Sequence, residues 1–193
     1  MTAHNKQTVE SRLTRLCNEY DPLTETDHVV GSAEYFKKAS EMAAKGYIGS
    51  SYAWVVRETP KPLSSSMPEL NESYPRVLLG LSRGDAGWGP TGGGREAGET
   101  YEEAAVREVR EETGIECEII DCRSARAEIL SCERSTDTVH TLWVYFIARA
   151  TGGSLSVLES ELDGAAWFRE LPSALSDSTH DQPWDWNDWR GPS

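Results

Sequence analysis

Three glutamates spaced for one face of a helix limit the possible structure and function of this 193-residue chain more than any other feature. Residues 100–113 are predicted to be helical. Glu108 and Glu112 lie four positions apart in this segment and Glu111 lies three from Glu108, so the carboxylates share one stripe. Like charges at this spacing repel one another and destabilise an isolated helix. The pattern therefore predicts that the stripe faces a cation.

The donor atoms of this stripe favour Mg²⁺ or Mn²⁺ over zinc. Carboxylate oxygens are hard ligands, and no His or Cys stands near them in the sequence. The run Gly92-Gly93-Gly94, just upstream, allows the backbone to approach a metal ion or a phosphate closely. A solvated, charged helix face is the alternative explanation for a run rich in Glu and Arg.

The full spacing around the stripe is more specific than the stripe alone. Gly93 precedes Glu99 by six positions, and Arg107 follows Glu99 by eight. The specified positions after Arg107 hold Glu108, Val109, Glu111, Glu112, Gly114 and Ile115. The series fills all nine specified positions of Gly-x5-Glu-x7-Arg-Glu-U-x-Glu-Glu-x-Gly-U, in which U is apolar. It resembles the Nudix box, and the resemblance to MutT-like Nudix hydrolases extends over residues 51–175.

The resemblance implies a metal site made of particular residues. Glu108 and Glu112 match the family's principal metal ligands, and Glu111 matches the third. The carbonyl of Gly92 matches a backbone metal ligand, and Glu99 matches the first box glutamate, which assists the metal site or catalysis. The implied cofactor is Mg²⁺ or Mn²⁺.

The same resemblance implies a further acid outside the box. Glu161 lies six residues before Trp167, the offset at which MutT-type members carry a glutamate. Glu159 is its rival because loop lengths vary, and Glu133, in a predicted turn, is a third candidate. A solvated loop is the alternative for the first two. The predicted catalytic residues are Glu99, Glu108, Glu111, Glu112 and Glu161.

Arg83, Trp88 and Arg107 are the candidate substrate contacts. Arg83 either contacts phosphate or forms a surface ion pair. Arg107 matches the family's arginine that orients neighbouring glutamates by ion pairing. Trp88 or Trp143 could stack on a base, although the strand pattern around Trp143 also suits a core position.

The implied function is Mg²⁺-dependent hydrolysis of a nucleoside diphosphate linked to another moiety, with water attacking phosphorus. A nucleoside triphosphate pyrophosphatase is favoured because the strand segment from Thr141 and the offset of Glu161 both resemble those of MutT-type members. A pyrophosphatase for ADP-ribose or another nucleotide sugar is the alternative. A non-catalytic nucleotide sensor is a further alternative, which the intact box glutamates disfavour.

The charge balance bears on partners and location. The chain has 32 acidic and 19 basic residues, a net charge of −13. This charge disfavours attraction to nucleic acid, and hence RNA decapping, and to anionic membranes. The expected partners are therefore small nucleotides. No bilayer-spanning stretch or secretory leader is visible, so a cytoplasmic location is expected. The lysine-poor, acidic composition suits either a salt-adapted (halophilic) cytoplasm or an ordinary acidic protein.

The helix and strand patterns predict an α/β (α+β) fold, and the resemblance implies a Nudix-type α/β/α sandwich with a mixed β-sheet. Two predicted helices form an N-terminal helical extension whose role could be packing, homodimer formation or a substrate lid. The predicted parts are the extension at 1–46, the Nudix hydrolase domain at 47–176 and an acidic, Trp-rich tail at 177–193. Separate strands are predicted at 116–121 and 125–132, and a helical turn at 171–175.

Overall fold

The computed structural model describes residues 2–61, 74–84 and 87–176, together with Trp184. The helices are α1 (Lys6–Tyr20), α2 (Ala33–Ala44) and α3 (Tyr101–Thr113). The strands are β1 (Ala3–His4), β2 (Leu23–Val30), β3 (Ser50–Arg57), β4 (Arg76–Ser82), β5 (Trp88–Gly89), β6 (Thr91–Gly94), β7 (Ile115–Ser131), β8 (Thr138–Gly153) and β9 (Leu162–Phe168). Most of the predicted C-terminal tail lies outside the described residues.

The chain divides into two units, each assembled from three stretches of sequence. The first unit comprises Met1–Tyr52, Gly92–Ala105 and Asp121–Phe146. The second comprises Ala53–Thr91, Val106–Ile120 and Ile147–Ser193. Elements β3, β6, β7, β8 and α3 contribute residues to both units.

Parallel strand pairs characterise the first unit. β2 runs beside β7 from Leu23 opposite Ser124 to Val30 opposite Ser131. β1 runs parallel to β8 in the same unit. The N-terminal segment therefore supplies the two helices that the sequence predicts and also two strands that it does not predict.

Helix α2 packs against the strands of the first unit. Ser32 caps the helix, because its hydroxyl oxygen accepts a hydrogen bond from the Tyr35 N–H at 3.1 Å. Phe36 and Ala43 join Leu130 of β7 in a buried apolar cluster. Burial of this apolar face holds the helix on the sheet.

Strand β4 is central in the second unit, where it pairs antiparallel with β3, β5 and β9. Trp54 and Val56 of β3 and Val77 and Leu79 of β4 form a buried cluster with Trp184. The rings of Trp54 and Trp184 meet edge to face, with centroids 5.9 Å apart. One tryptophan of the predicted tail is thus part of this core.

Strands pair in both directions, which confirms the predicted α+β class and mixed sheet. Within the described part of the chain, no helix has both the length and the hydrophobicity needed to cross a bilayer.

Local structure differs from the sequence patterns in three places. The sequence does not predict a strand at β2, because most of its residues are exposed and polar and show no alternation of apolar and polar positions. The break predicted between residues 121 and 125 is wrong, since β7 continues through it. The helical turn predicted at 171–175 is also wrong: the Trp88 N–H donates to the Ala174 carbonyl at 3.0 Å, and Leu175 bridges to Trp88. Backbone pairing with β5 replaces the intrahelical bonds that such a turn needs.

Replacing Thr100 with Ala is expected to lower the free energy of unfolding by about 1 kcal/mol. The Thr100 hydroxyl accepts a hydrogen bond from the Glu103 N–H at 3.1 Å, and the Glu103 carboxylate accepts one from the Thr100 N–H at 2.8 Å. These reciprocal bonds form a capping box at the start of α3. Urea unfolding followed by circular dichroism measures the change. The exposed loop residue Thr59, replaced with Ala, is the control, and equal stability of the two variants would contradict the cap.

Candidate functional site

Three glutamates converge in the second unit. One carboxylate oxygen from each of Glu108, Glu112 and Glu161 lies within 4.8 Å of the other two. Glu112 is buried, with 6 % of its surface exposed, whereas Glu161 is exposed. Among the residues that the structure describes, these acids are the one group arranged to share a metal ion.

The packing of α3 determines which of its glutamates reach this cluster. Val109 and Thr113 are fully buried, and the Thr113 hydroxyl donates to the Val109 carbonyl at 2.5 Å. With that face against the core, Glu108 and Glu112 lie one turn apart on a neighbouring face. Glu111 is outside the cluster, and its side chain is 55 % exposed.

Arg107 links the clustered and the exposed acids of α3. Its Nη1 lies 2.9 Å from Glu108 Oε1 and 3.1 Å from Glu111 Oε2. Burial raises the pKa of Glu108, Arg107 lowers it, and the charges of Glu161 and Glu111 raise it further. Arg107 thus orients a clustered carboxylate and offsets part of the local negative charge.

A loop attached to the end of α3 brings Glu161 to the helix. The Ser156 N–H donates to the Thr113 carbonyl at 2.8 Å, and the Leu158 N–H donates to the Glu112 carbonyl at 2.9 Å. These bonds satisfy carbonyls that the last helical turn leaves without intrahelical partners. The Glu161 N–H then donates to the Leu158 carbonyl at 2.9 Å, which closes a turn at Glu161. The sequence signal for this loop is Gly152-Gly153 ahead of polar residues.

Arg83 also binds this loop. Its N–H donates to the Glu161 carbonyl at 2.8 Å, and its Nη1 donates to the Glu159 carbonyl at 2.6 Å. Its Nε lies 3.4 Å from Asp163 Oδ1. Arg83 therefore contacts the backbone that carries Glu161, and its contact with substrate stays a prediction.

Trp88 packs within the second unit. Its ring meets Phe168 edge to face at a centroid distance of 4.9 Å, and it borders the cluster around Trp54. Its backbone also pairs with the residues next to Leu175. The contacts of Trp88 are those of a packing residue, and stacking on a base stays a prediction.

Glu99 and Gly92 belong to the first unit. The Glu99 carboxylate accepts a hydrogen bond from the Glu96 N–H at 2.9 Å. Gly92 has a φ of 154°, and a Cβ there would lie 2.2 Å from the Ser51 carbonyl oxygen. Glycine is therefore required at position 92 for close backbone packing. The metal and catalytic roles of both residues stay predictions.

The converging donors fit a hard divalent cation. Carboxylates brought this close repel one another, and the burial of Glu112 adds a desolvation cost to its charge. A divalent cation held by Glu108, Glu112 and Glu161 would offset both costs, and three oxygen ligands leave coordination positions for water or phosphate.

Comparisons with known proteins agree with the spacing of these residues. Residues 64–183, which are more than half of the chain, match the NUDIX domain. The MutT4 protein of Mycobacterium tuberculosis is 38 % identical over 98 residues. That match covers 49 % of this chain and 38 % of the relative, so the chain matches less than half of the relative's length.

Two solved structures of low sequence identity resemble this chain. One, a UDP-X diphosphatase, is 15 % identical with a TM-score of 0.45, over 88 % of this chain and 71 % of the other. The second, the pyrophosphohydrolase BsRppH of Bacillus subtilis, is 19 % identical with a TM-score of 0.45, over 70 % and 75 % of the two chains.

Proposed function

We propose that this chain, which belongs to the Nudix hydrolase family, is a Mg²⁺-dependent pyrophosphohydrolase that cleaves a nucleoside diphosphate linked to another moiety. A nucleoside triphosphate is the favoured substrate, which the enzyme would split to a monophosphate and pyrophosphate. The single observation that carries the proposal is the convergence of Glu108, Glu112 and Glu161. The proposed site of action is the cytoplasm.

Glu108, Glu112 and Glu161 are the proposed holders of the cation. When bound, Mg²⁺ or Mn²⁺ would neutralise charge on the diphosphate and lower the pKa of a coordinated water. Glu112 supplies a buried carboxylate at the end of α3, and Glu108 supplies a second one turn earlier. Arg107 keeps Glu108 oriented through their 2.9 Å ion pair. Glu111 remains the proposed third metal ligand on α3.

Glu161 is the proposed proton acceptor. It is the exposed member of the cluster and lies on a loop held by backbone bonds, so its main chain is fixed while its carboxylate is open to solvent. A carboxylate in this position can orient an attacking water and accept its proton while the phosphoanhydride bond breaks. Glu99 is proposed to assist from the glycine-rich segment.

Nucleotide hydrolysis by the full chain tests the proposal. The substrates are nucleoside triphosphates, nucleoside diphosphates, ADP-ribose and a UDP-sugar, each with Mg²⁺, with Mn²⁺ or with a chelator, at low and high KCl. Chromatographic separation of the nucleotide products, with direct detection of phosphate and pyrophosphate, reports cleavage of every substrate, with the chelator as well as with metal. We expect metal-dependent release of pyrophosphate from a triphosphate.

The other results of this assay discriminate between the alternatives. If ADP-ribose or the UDP-sugar is turned over faster than the triphosphates, that nucleotide sugar is the substrate and the reaction class is unchanged. Binding of nucleotides without turnover of any would refute catalysis and favour a sensor. Equal turnover with the chelator would refute the role of the metal.

A further inference from the structure

Strand β9 begins with an irregular pairing. It runs antiparallel to β4, with Leu81 opposite Gly164 but Ser82 opposite Leu162. Asp163 is therefore an extra residue on β9, which is the defining feature of a β-bulge. A bulge shifts the residues ahead of it by one position relative to the neighbouring strand, and bulges next to active sites commonly re-aim a side chain. The bulge therefore determines where the residues just before Asp163 lie.

Glu161 comes directly before this strand, and its neighbour Leu162 fixes the chain there. Leu162 is 3 % exposed, and a Cβ added at Gly80 would lie 3.2 Å from its Cδ1. Close packing therefore holds Leu162 against β4. Without the extra residue, the pairing would be displaced by one residue, about 3.3 Å along the strand, and Glu161 would move with it. The bulge thus helps to bring the Glu161 carboxylate to those of Glu108 and Glu112.

Arg83, which follows β4, contacts three alternate residues around the bulge. Its N–H donates to the Glu161 carbonyl at 2.8 Å, and its Nη1 donates to the Glu159 carbonyl at 2.6 Å. Its Nε lies 3.4 Å from Asp163 Oδ1. The Asp163 pair is exposed and adds little free energy by itself, but two contacts at once fix the orientation of the planar guanidinium. The side chain therefore connects the residue two before Glu161 to the residue two after it.

We propose that Arg83 is a positioning residue for hydrolysis, which acts by holding the Glu161 carboxylate in the cluster. This inference rests on the proposed function, because Glu161 is the proposed proton acceptor and a proposed ligand of the cation. Arg83, Glu161 and the two helix glutamates all belong to the second unit. Direct contact of Arg83 with a substrate phosphate is the alternative, and it predicts a different pattern of losses.

A double-mutant cycle of the full chain separates these two roles. Arg83→Gln keeps the backbone bond to Glu161 and removes the guanidinium, so kcat is expected to fall by about tenfold, with KM changed by less than about twofold. Added to Glu161→Gln, it is expected to change kcat by less than about twofold, because no proton acceptor is left to misplace. Equal losses in both backgrounds, or a raised KM in both, would overturn the proposal in favour of a substrate contact.

Two further variants separate positioning from charge. Arg83→Lys keeps the charge, but its single nitrogen cannot contact the Glu159 carbonyl and Asp163 together, so most of the loss in kcat is expected to remain. Arg169→Gln removes an equal charge from an exposed position of the same unit and is expected to keep full activity. Circular dichroism checks that each variant is folded. Full activity of Arg83→Lys, or an equal loss in Arg169→Gln, would overturn the proposal.

Binding of Mn²⁺ without nucleotide gives a measurement that does not depend on turnover. The electron paramagnetic resonance signal of free Mn²⁺ reports the affinity of the full chain for the ion. Removal of a nearby positive charge would by itself strengthen the binding of a cation, whereas loss of positioning weakens it. We expect weaker binding in Arg83→Gln than in the unmodified protein, and equal binding in Glu161→Gln with and without Arg83→Gln.

The outcomes distinguish this inference from the proposed function. Unchanged or tighter Mn²⁺ binding in Arg83→Gln would overturn the positioning role, even if the unmodified protein hydrolyses nucleotides. The expected pattern of Mn²⁺ binding without hydrolysis of any nucleotide would refute the proposed function and support Arg83 as the residue that positions Glu161. Absence of Mn²⁺ binding by the unmodified protein would overturn both.

Discussion

Glu112→Gln is expected to lower kcat by about a thousandfold or more, an effect on the scale of a lost electrostatic contact in an active site. Glu112 is the buried member of the cluster, and its carboxylate meets those of Glu108 and Glu161. Glutamine keeps the size of the side chain but removes its charge, so the affinity for a divalent cation falls. The variant should stay folded, because a neutral amide costs less to bury than a carboxylate.

The loss is measured as pyrophosphate release from the best substrate at the Mg²⁺ concentration that just saturates the unmodified protein. Glu170→Gln, at an exposed position of the same unit, removes an equal charge and is the control. A circular dichroism spectrum and thermal midpoint like those of the unmodified protein show that Glu112→Gln is folded. Near-normal turnover of folded Glu112→Gln would refute Glu112 as a metal ligand.

Glu161→Gln is expected to reduce kcat by about a hundredfold, the lower range for the loss of a general base. Glu161 contributes an oxygen to the cluster, and its backbone is held by Leu158 and Arg83 at 2.9 and 2.8 Å. The amide still orients water through hydrogen bonds but cannot accept its proton. KM is expected to change less than kcat because Glu108 and Glu112 would still hold the cation that contacts the substrate phosphates.

Glu159 offers a matched control for this prediction. It lies in the same loop, is exposed and carries the same charge, but it is not in the cluster. Glu159→Gln is therefore expected to change kcat by less than about twofold, as surface substitutions usually do. A greater loss in Glu159→Gln than in Glu161→Gln would assign the distal acid to Glu159 instead.

Much of α3 follows from its own residues. Thr100 and Glu103 predict a capping box, which the structure contains, and the four-residue spacing of Glu108 and Glu112 puts them on one face. Such features depend on residues within one or two helical turns, so they can be predicted from a single sequence. The Nudix family is recognisable from the same segment because its motif is continuous in the chain.

Partners that are distant in the sequence were harder to infer. The offset before Trp167 suggested Glu161 over Glu159 but could not show which carboxylate meets the helix. In the structure the Glu161 carboxylate meets those of Glu108 and Glu112, and Glu159 is outside this cluster. The sequence does not predict strand β2 for a related reason, since its polar, exposed residues lack alternation and it forms by pairing with β7.

The sequence alone determined a helix with Glu108 and Glu112 on one face, and it identified the family, because periodicity and capping act between residues close in sequence. Tertiary contacts decided which acids meet, since a loop bonded to the end of α3 brings Glu161 to Glu108 and Glu112. Such arrangements depend on hydrogen bonds and packing between segments far apart in the chain, which no local pattern encodes.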